Sequence, residues 1–333
     1  MSMVKLGNSG LEVTQIAFGA WAIGGWMWGG NDEVDSRRAL DASIDMGITS
    51  IDTAPVYGFG LSEKIVGEAI QGKRDRVQIL TKYGLRWDTD QGELFFPTRD
   101  NEGVPLNVHR FAGRESIIQE CENSLRRLKT DFIDLYQIHW PDATTSIQET
   151  MEAVEQLIKQ GKVKAAGVSN YSLDEMKQAA GSVNLASNQI PYSMLKRDIE
   201  EDIIPYGIEN NIGIMVYSPM QRGILCGKIK PDHHFNEGDN RPDTPYYKKG
   251  NIIKINEFLD QIKPIASDNN ISLAQLVLRW TLQRPGITCL LAGARNEKQL
   301  VENAGTLDFT LSEGEMDFIN ESLEKLEMNL EEM

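Results

Sequence analysis

Residues 48–63 read ITSIDTAPVYGFGLSE, residues 77–84 read VQILTKYG, and residues 132–142 read FIDLYQIHWPD. Each opens as an apolar run of strand length and ends in a group able to move protons: Asp52 and Tyr57, Lys82, and His139. A carboxylate, a phenol, an amine and an imidazole are each costly to bury alone. Strands that each deliver one such group at the same end point to a parallel barrel, where functional side chains collect at the C-terminal rim.

The rest of the chain repeats this rhythm. Strand-length apolar runs fall at Gln15–Gly19, Ile48–Asp52, Val77–Lys82, Phe132–His139, Val163–Ser169, Leu185–Gln189, Ile212–Ser218 and Ile287–Ala292. Amphipathic stretches at Glu33–Met46, Arg114–Leu128, Ile147–Gln160, Asp198–Asn210, Leu273–Leu282 and Glu297–Asn303 separate them. Ile117, Ile118, Cys121, Leu125 and Leu128 show the helical period. Gly47, Gly161 and Gly181 read as helix C-caps. A short hairpin around Asn8–Gly10 opens the chain, and a final acidic helix is expected within 311–333. Alternating strands and helices imply βαβ units and a parallel sheet. The fold class is therefore α/β, a (β/α)8 TIM barrel, taken as one domain over residues 1–333 because no composition shift marks a boundary. The alternative, an open doubly wound sheet, lacks a G-x-G-x-x-G after any strand, and a P-loop is also absent. Two insertions, 84–113 and 219–250, leave strand C-termini and are expected to be lids or binding loops.

Composition narrows the function. With 41% hydrophobic and 25% charged residues the chain is ordinary globular protein. A net charge of −15 argues against nucleic acid as the main partner. No run of 18 apolar residues suggests a membrane span. Three scattered cysteines, Cys121, Cys226 and Cys289, and an N-terminus without a secretory apolar stretch fit a reducing cytoplasm. Asp232, His233 and His234 adjoin in sequence, but no ligand set at metal spacing surrounds them, so no metal site is expected.

Taken together, the rim residues describe a proton donor. A free tyrosine has a pKa of about 10. An ammonium at Lys82 is expected to lower the pKa of Tyr57, with Asp52 holding the ammonium in place. A neutral His139 can donate a hydrogen bond to a substrate carbonyl and orient it. Such a set protonates an oxygen but supplies no carbon-bound hydrogen, so a hydride-carrying cofactor is implied. Other strand ends suit one. Ser169 and Asn170 have short polar side chains, Gln189 ends the sixth run, Tyr217 can stack on a flat ring, and Arg295 opens a helix after Gly293. Trp21, Trp26, Trp28, Trp87 and Trp140 all follow strands and suggest an aromatic-walled substrate pocket, which suits sugars and flat carbonyl compounds alike.

In combination and order, LGNSGLEVTQIAFGAWAIGG, DTAPVYGFGLSE, SLRRLKTDFIDLYQIHWPD, GKVKAAGVSNYS, YSPMQRGILCGK and LAGARNEKQLVEN resemble the aldo-keto reductases, and most of all their bacterial general-stress group. The resemblance covers nearly the whole chain. It implies NADPH lying across the C-terminal rim, with Tyr57 as general acid, Lys82 and Asp52 as its tuning pair, and His139 as carbonyl orienter. Ser169, Asn170 and Gln189 would hold the nicotinamide amide and Tyr217 would stack on its ring. Ser218, Met220, Arg222, Gly223, Leu225 and Lys228 would cover the pyrophosphate. Gly293, Arg295, Gln299, Glu302 and Asn303 would surround the adenosine. Trp21, Trp28, Trp87 and Trp140 would contact a small carbonyl or alcohol substrate. Other branches carry basic residues where Gly293 and Gln299 stand here, which leaves Arg295 for the 2′-phosphate. Two competitors remain: a regulatory or redox-sensing NADPH-binding barrel with little turnover, and a metal-dependent barrel hydrolase.

Overall fold

A computed structural model describes residues 3–28, 32–236, 239–294 and 296–331. The chain opens with a hairpin, β1 (Met3–Lys5) antiparallel to β2 (Glu12–Thr14). Leu6 and Val13 join one buried cluster with Ala17, Leu80, Leu135, Ala165, Met215 and Cys289, so the hairpin plugs the barrel floor. Gly7 makes this possible. Its φ is +56°, and a Cβ there would lie 2.6 Å from the carbonyl oxygens of Ala186 and Asn211.

The barrel strands follow: β3 (Ile16–Gly19), β4 (Ser50–Asp52) and β5 (Gln78–Tyr83). An insertion then contributes β6 (Leu85–Arg86), β7 (Glu93–Arg99) and β8 (Pro105–Arg110). Barrel strands resume with β9 (Ile133–Ile138), β10 (Val163–Ser169), β11 (Leu185–Pro191), β12 (Gly213–Tyr217) and β13 (Ile287–Ala292). The eight barrel strands pair in parallel and close, β13 onto β3. All eight expected strands are present, each within two residues of its expected ends.

The helices are α1 (Glu33–Asp45), α2 (Leu61–Ala69), α3 (Arg114–Leu128), α4 (Ile147–Lys159), α5 (Leu173–Ser182), α6 (Ile203–Glu209), α7 (Lys249–Asp268), α8 (Leu273–Gln283), α9 (Glu297–Ala304) and α10 (Glu313–Glu324). Local chemistry sets their starts. Ser172, Ser272 and Ser312 each form a capping box with the residue three positions on. Gly47 and Gly161 follow α1 and α4 with φ of +84° and +74°, as expected of C-terminal glycines. Gly181 departs from expectation and lies inside α5. The stretch expected as one helix over Asp198–Asn210 divides into a 3-10 turn at Asp198–Glu200 and α6. Pro205 explains the break: it lacks an N–H and is tolerated only in the first turn, so the helix restarts just before it.

The insertions also differ from plain loops. Residues 84–113 form a three-stranded antiparallel sheet ordered β6–β8–β7 beside the barrel mouth. Residues 219–250 carry three 3-10 turns, Gln221–Cys226, Arg241–Asp243 and Pro245–Tyr247. The final acidic helix, α10, packs on α7. No helix among the described residues is long and apolar enough to cross a membrane.

Candidate active site

Side chains alternate along a strand, so residues two apart share a face. Leu80 lies in the barrel core, which turns Lys82 inward as well; Leu135 does the same for Gln137. The outcome is a buried polar layer above the apolar one. Lys82 donates through Nζ to Asp52 Oδ1 at 2.6 Å, to the Thr53 carbonyl at 3.1 Å and to Tyr57 Oη at 3.3 Å. Both members of the Lys82–Asp52 ion pair are essentially closed to solvent. Asp52 Oδ2 accepts from Gln189 Nε2 at 2.7 Å and from Gln137 Nε2 at 3.4 Å. His139 stands edge-on to Tyr57, with ring centroids 5.6 Å apart and planes at 82°. The four groups expected from the sequence therefore meet in one place.

Their electrostatics correct one expectation. Burial, with Asp52 adding to it, pushes the Tyr57 phenol well above its ordinary pKa instead of below it. Desolvation of the phenolate outweighs the neighbouring ammonium, and the ammonium is already neutralised by Asp52. Tyr57 thus holds its proton firmly. Burial also pushes Lys82 down, while the Asp52 carboxylate opposes that shift. His139 is driven well below its usual value, first by burial and then by Lys82, so its imidazole is neutral near pH 7. A neutral imidazole keeps one N–H to offer a carbonyl oxygen.

A cavity of about 510 Å³ opens above this layer. Seven of the eight barrel strands reach it with residues at their C-terminal ends: Gly19, Asp52, His139, Ser169, Gln189, Tyr217 and Gly293. The eighth, β5, supplies Lys82 from below. Close backbone packing sets one wall. A Cβ on Gly24 would fall 2.7 Å from the Tyr57 carbonyl, so only glycine lets the Trp21–Trp28 loop settle beside the phenol. Trp21 then stacks on Tyr57 at 6.1 Å, and Trp28 meets Trp21 edge-on at 5.5 Å.

Most of the expected cofactor and substrate residues line this one cavity. Ser169, Asn170, Gln189, Tyr217, Ser218, Met220, Arg222, Gly223 and Lys228 all line it. Gly293, Gln299, Glu302 and Asn303 line it as well. Trp21, Trp28 and Trp140 also line the cavity, and so does Trp26. Two residues stand apart. Trp87 is not among the lining residues; it packs edge-on against Phe59 at 5.4 Å, within the cluster around Trp26, Val56 and Leu85. Leu225 is fully buried in the hydrophobic core. Arg295 lies outside the described residues.

Some expected hydrogen-bonding groups are already engaged. The Asn170 amide donates to the His139 carbonyl at 2.9 Å and accepts from Tyr217 Oη at 2.7 Å. Asn170 adopts a left-handed backbone, φ +60°, which asparagine tolerates. The amide of Gln189 is tied to Asp52, so this residue links the cavity to the Lys82–Asp52 pair. Sequence reasoning missed Gln137, which sits between Asp52 and Gln189. Its signal was a glutamine two positions before His139 inside an apolar strand. It also missed Phe95 and Phe96, which β7 contributes to the cavity, and Arg241 from the second insertion. Among the described residues no group of three or more His, Cys, Asp or Glu is placed to hold a metal.

A closed parallel barrel with a phenol, an ammonium–carboxylate pair and an imidazole gathered at its C-terminal rim is the arrangement of a (β/α)8 barrel enzyme. The chain belongs to the aldo/keto reductase family, whose pattern it matches over residues 15–324, and it is an oxidoreductase of that nicotinamide-dependent family. It is 39% identical over 327 residues to the aldo-keto reductase YhdN of Bacillus subtilis, covering 97% of this chain and 94% of that one. It is 32% identical over 335 residues to the NADH-specific methylglyoxal reductase of Escherichia coli, covering 98% and 100% of the two chains. Among solved structures, the glycerol dehydrogenase AKR11B4 of Gluconobacter oxydans superposes with a TM-score of 0.88 at 35% identity, covering 98% and 96%. An aldo/keto reductase of Klebsiella pneumoniae in complex with NADP and acetate gives 0.72 at 28% identity, covering 98% and 100%.

Proposed function

We propose that this protein reduces small aldehydes or ketones, sugars included, to alcohols with NADPH, and that Tyr57 is the general acid. One observation carries the proposal: the partly buried Tyr57 phenol stands 3.3 Å from Lys82 Nζ and edge-on to His139, and lines an open cavity together with it. A bound nicotinamide supplies the hydride. The chain supplies the remainder. His139 donates a hydrogen bond to the carbonyl oxygen and fixes its direction. Tyr57 then gives its proton to that oxygen as negative charge develops there. An alkoxide is a stronger base than a phenolate, so even a tyrosine held above its ordinary pKa transfers downhill. Lys82 stabilises the phenolate left behind, and Asp52, braced by Gln189 and Gln137, keeps Lys82 in place.

The cavity suits a dinucleotide in its chemistry. Amide-pairing groups (Ser169, Asn170, Gln189) and the Tyr217 ring line the same cavity as Tyr57. Arg222 follows, a largely buried guanidinium whose hydrogen-bond acceptor among the described residues is Asn240 Oδ1 at 2.9 Å, not a carboxylate. Such a group favours an anion, here the pyrophosphate, together with Ser218, Met220, Gly223 and Lys228. Gly293, Gln299, Glu302, Asn303 and Arg295 are assigned to the adenosine, with Arg295 on the 2′-phosphate. The two relatives named for methylglyoxal and glycerol point to small oxygenated substrates. The test is NADPH oxidation across sugars, short aldehydes, diketones and aromatic carbonyls. Turnover of a subset supports the proposal. Cofactor binding without turnover of any would favour a binding protein instead.

A further inference from the structure

The stretch after β12 has an unusual backbone. Ser218, Gln221 and Arg222 adopt left-handed φ of +55°, +45° and +54°, and Gly223 follows at +98°. Only nine non-glycine residues among those described do this, and three of them fall within these five positions. Asparagine tolerates the conformation, but serine, glutamine and arginine do so at a cost, and strain of this kind persists only where the surroundings enforce it.

The enforcing contact is visible. Tyr247 directs its hydroxyl at the carbonyl oxygens of Gln221, at 3.1 Å, and Arg222, at 2.9 Å. Arg241 Nη1 also reaches the Arg222 carbonyl, at 3.4 Å. Tyr247 itself is held rigidly. Its ring is buried and meets Phe235 edge-on at 5.6 Å. Its turn is fastened by Asn251, whose amide donates to the Pro245 carbonyl at 2.8 Å and to the Asn329 carbonyl at 2.6 Å. Asn329 N–H donates back to Asn251 Oδ1 at 2.9 Å. Burial raises the phenol to about 12, so it remains a donor throughout the working pH range. A chain of contacts therefore runs from the C-terminal segment through Asn251 and Tyr247 to the strained Gln221 and Arg222, the second of which lines the cavity.

We infer that Tyr247 is a positioning residue: its hydroxyl holds residues 221–223 in the left-handed form that presents Arg222 to the cofactor. This rests on the assignment of that loop to the pyrophosphate. It assigns a cofactor-affinity role to a side chain that does not itself line the cavity.

The test compares Tyr247→Phe with wild type by NADPH titration and by amide hydrogen exchange over residues 218–228 without cofactor. Phenylalanine keeps the ring packing and removes only the hydroxyl. The expected result is faster exchange confined to that stretch and a rise in NADPH Kd of about 3- to 10-fold, the worth of one hydrogen bond. Single-turnover rate at saturating NADPH stays close to wild type, which a general loss of structure would not allow. Unchanged exchange at 218–228 overturns the inference, as does a fall in protection across the whole barrel. Arg222→Ala separates the inference from the assignment beneath it. If Arg222→Ala weakens NADPH binding and Tyr247→Phe does not, the inference alone fails. If neither changes Kd, the loop does not serve the cofactor and the assignment fails with it.

Discussion

Replacing Lys82 by methionine leaves the Asp52 carboxylate buried without its cation. The pair is 2.6 Å apart and both side chains are almost wholly inaccessible. Breaking such a pair from one side costs about 3–5 kcal/mol, because the remaining charge is desolvated and uncompensated. Asp52 Oδ2 keeps its hydrogen bonds from Gln189 and Gln137, which favours the lower end, about 3 kcal/mol. The Thr53 carbonyl also loses its donor, which adds about 1 kcal/mol. Methionine nearly matches the lysine stem, so cavity formation contributes little. Urea unfolding at pH 7, followed by tryptophan fluorescence, measures the loss. Adding Asp52→Asn to Lys82→Met removes the stranded charge, and the double variant is expected to be more stable than Lys82→Met alone by about 2 kcal/mol. If Lys82→Met lies within about 1 kcal/mol of wild type, or if the two substitutions simply add, there is no buried ion pair to break. The tuning role given to Lys82 would then fall.

Two further outcomes follow from the same structure. Glu120 is buried in α3, accepting from Gly84 N–H at 3.0 Å and Ser116 Oγ at 3.1 Å with Arg86 3.9 Å away, and burial, opposed by Arg86, raises its pKa to about 7. A carboxyl raised in the fold is unpenalised below its unfolded pKa and loses stability as pH climbs through 4.5 to 7. Wild type is therefore expected to lose roughly 3 kcal/mol relative to Glu120→Gln between pH 4.5 and 8, read by unfolding at both pH values; equal pH dependence would contradict this. Arg295→Ala, argued from sequence position alone, is expected to weaken NADPH about 10- to 100-fold and NADH little; titration with both cofactors checks it, and equal losses would remove Arg295 from the 2′-phosphate.

The barrel was legible because each strand is a short apolar run between glycines and amphipathic stretches. The meeting of the four polar groups was legible because Asp52, Lys82 and His139 interrupt those runs at the same end. What escaped notice depends on contacts across the barrel. Nothing local in QIH shows that Gln137 faces Asp52, 85 positions away. The insertion sheet was hidden by Pro97 and Pro105, which argue against strands. The structure resolves this, since β7 is an edge strand and Pro105 is the first residue of β8. Trp87 was misplaced for a related reason: position after a strand does not say which way a two-residue strand turns. The direction of the Tyr57 shift was missed because burial was not known, and burial outweighs the cation.

The central claim is that the proton comes from Tyr57. The direct test is the single-turnover rate of carbonyl reduction by Tyr57→Phe preloaded with NADPH, with cofactor affinity measured alongside. Phenylalanine preserves the stack on Trp21 and removes only the hydroxyl. Affinity is expected near wild type and the rate lower by about 10²–10⁴-fold, the usual worth of a positioned acid. A rate near wild type, with NADPH bound normally, would place the acid elsewhere.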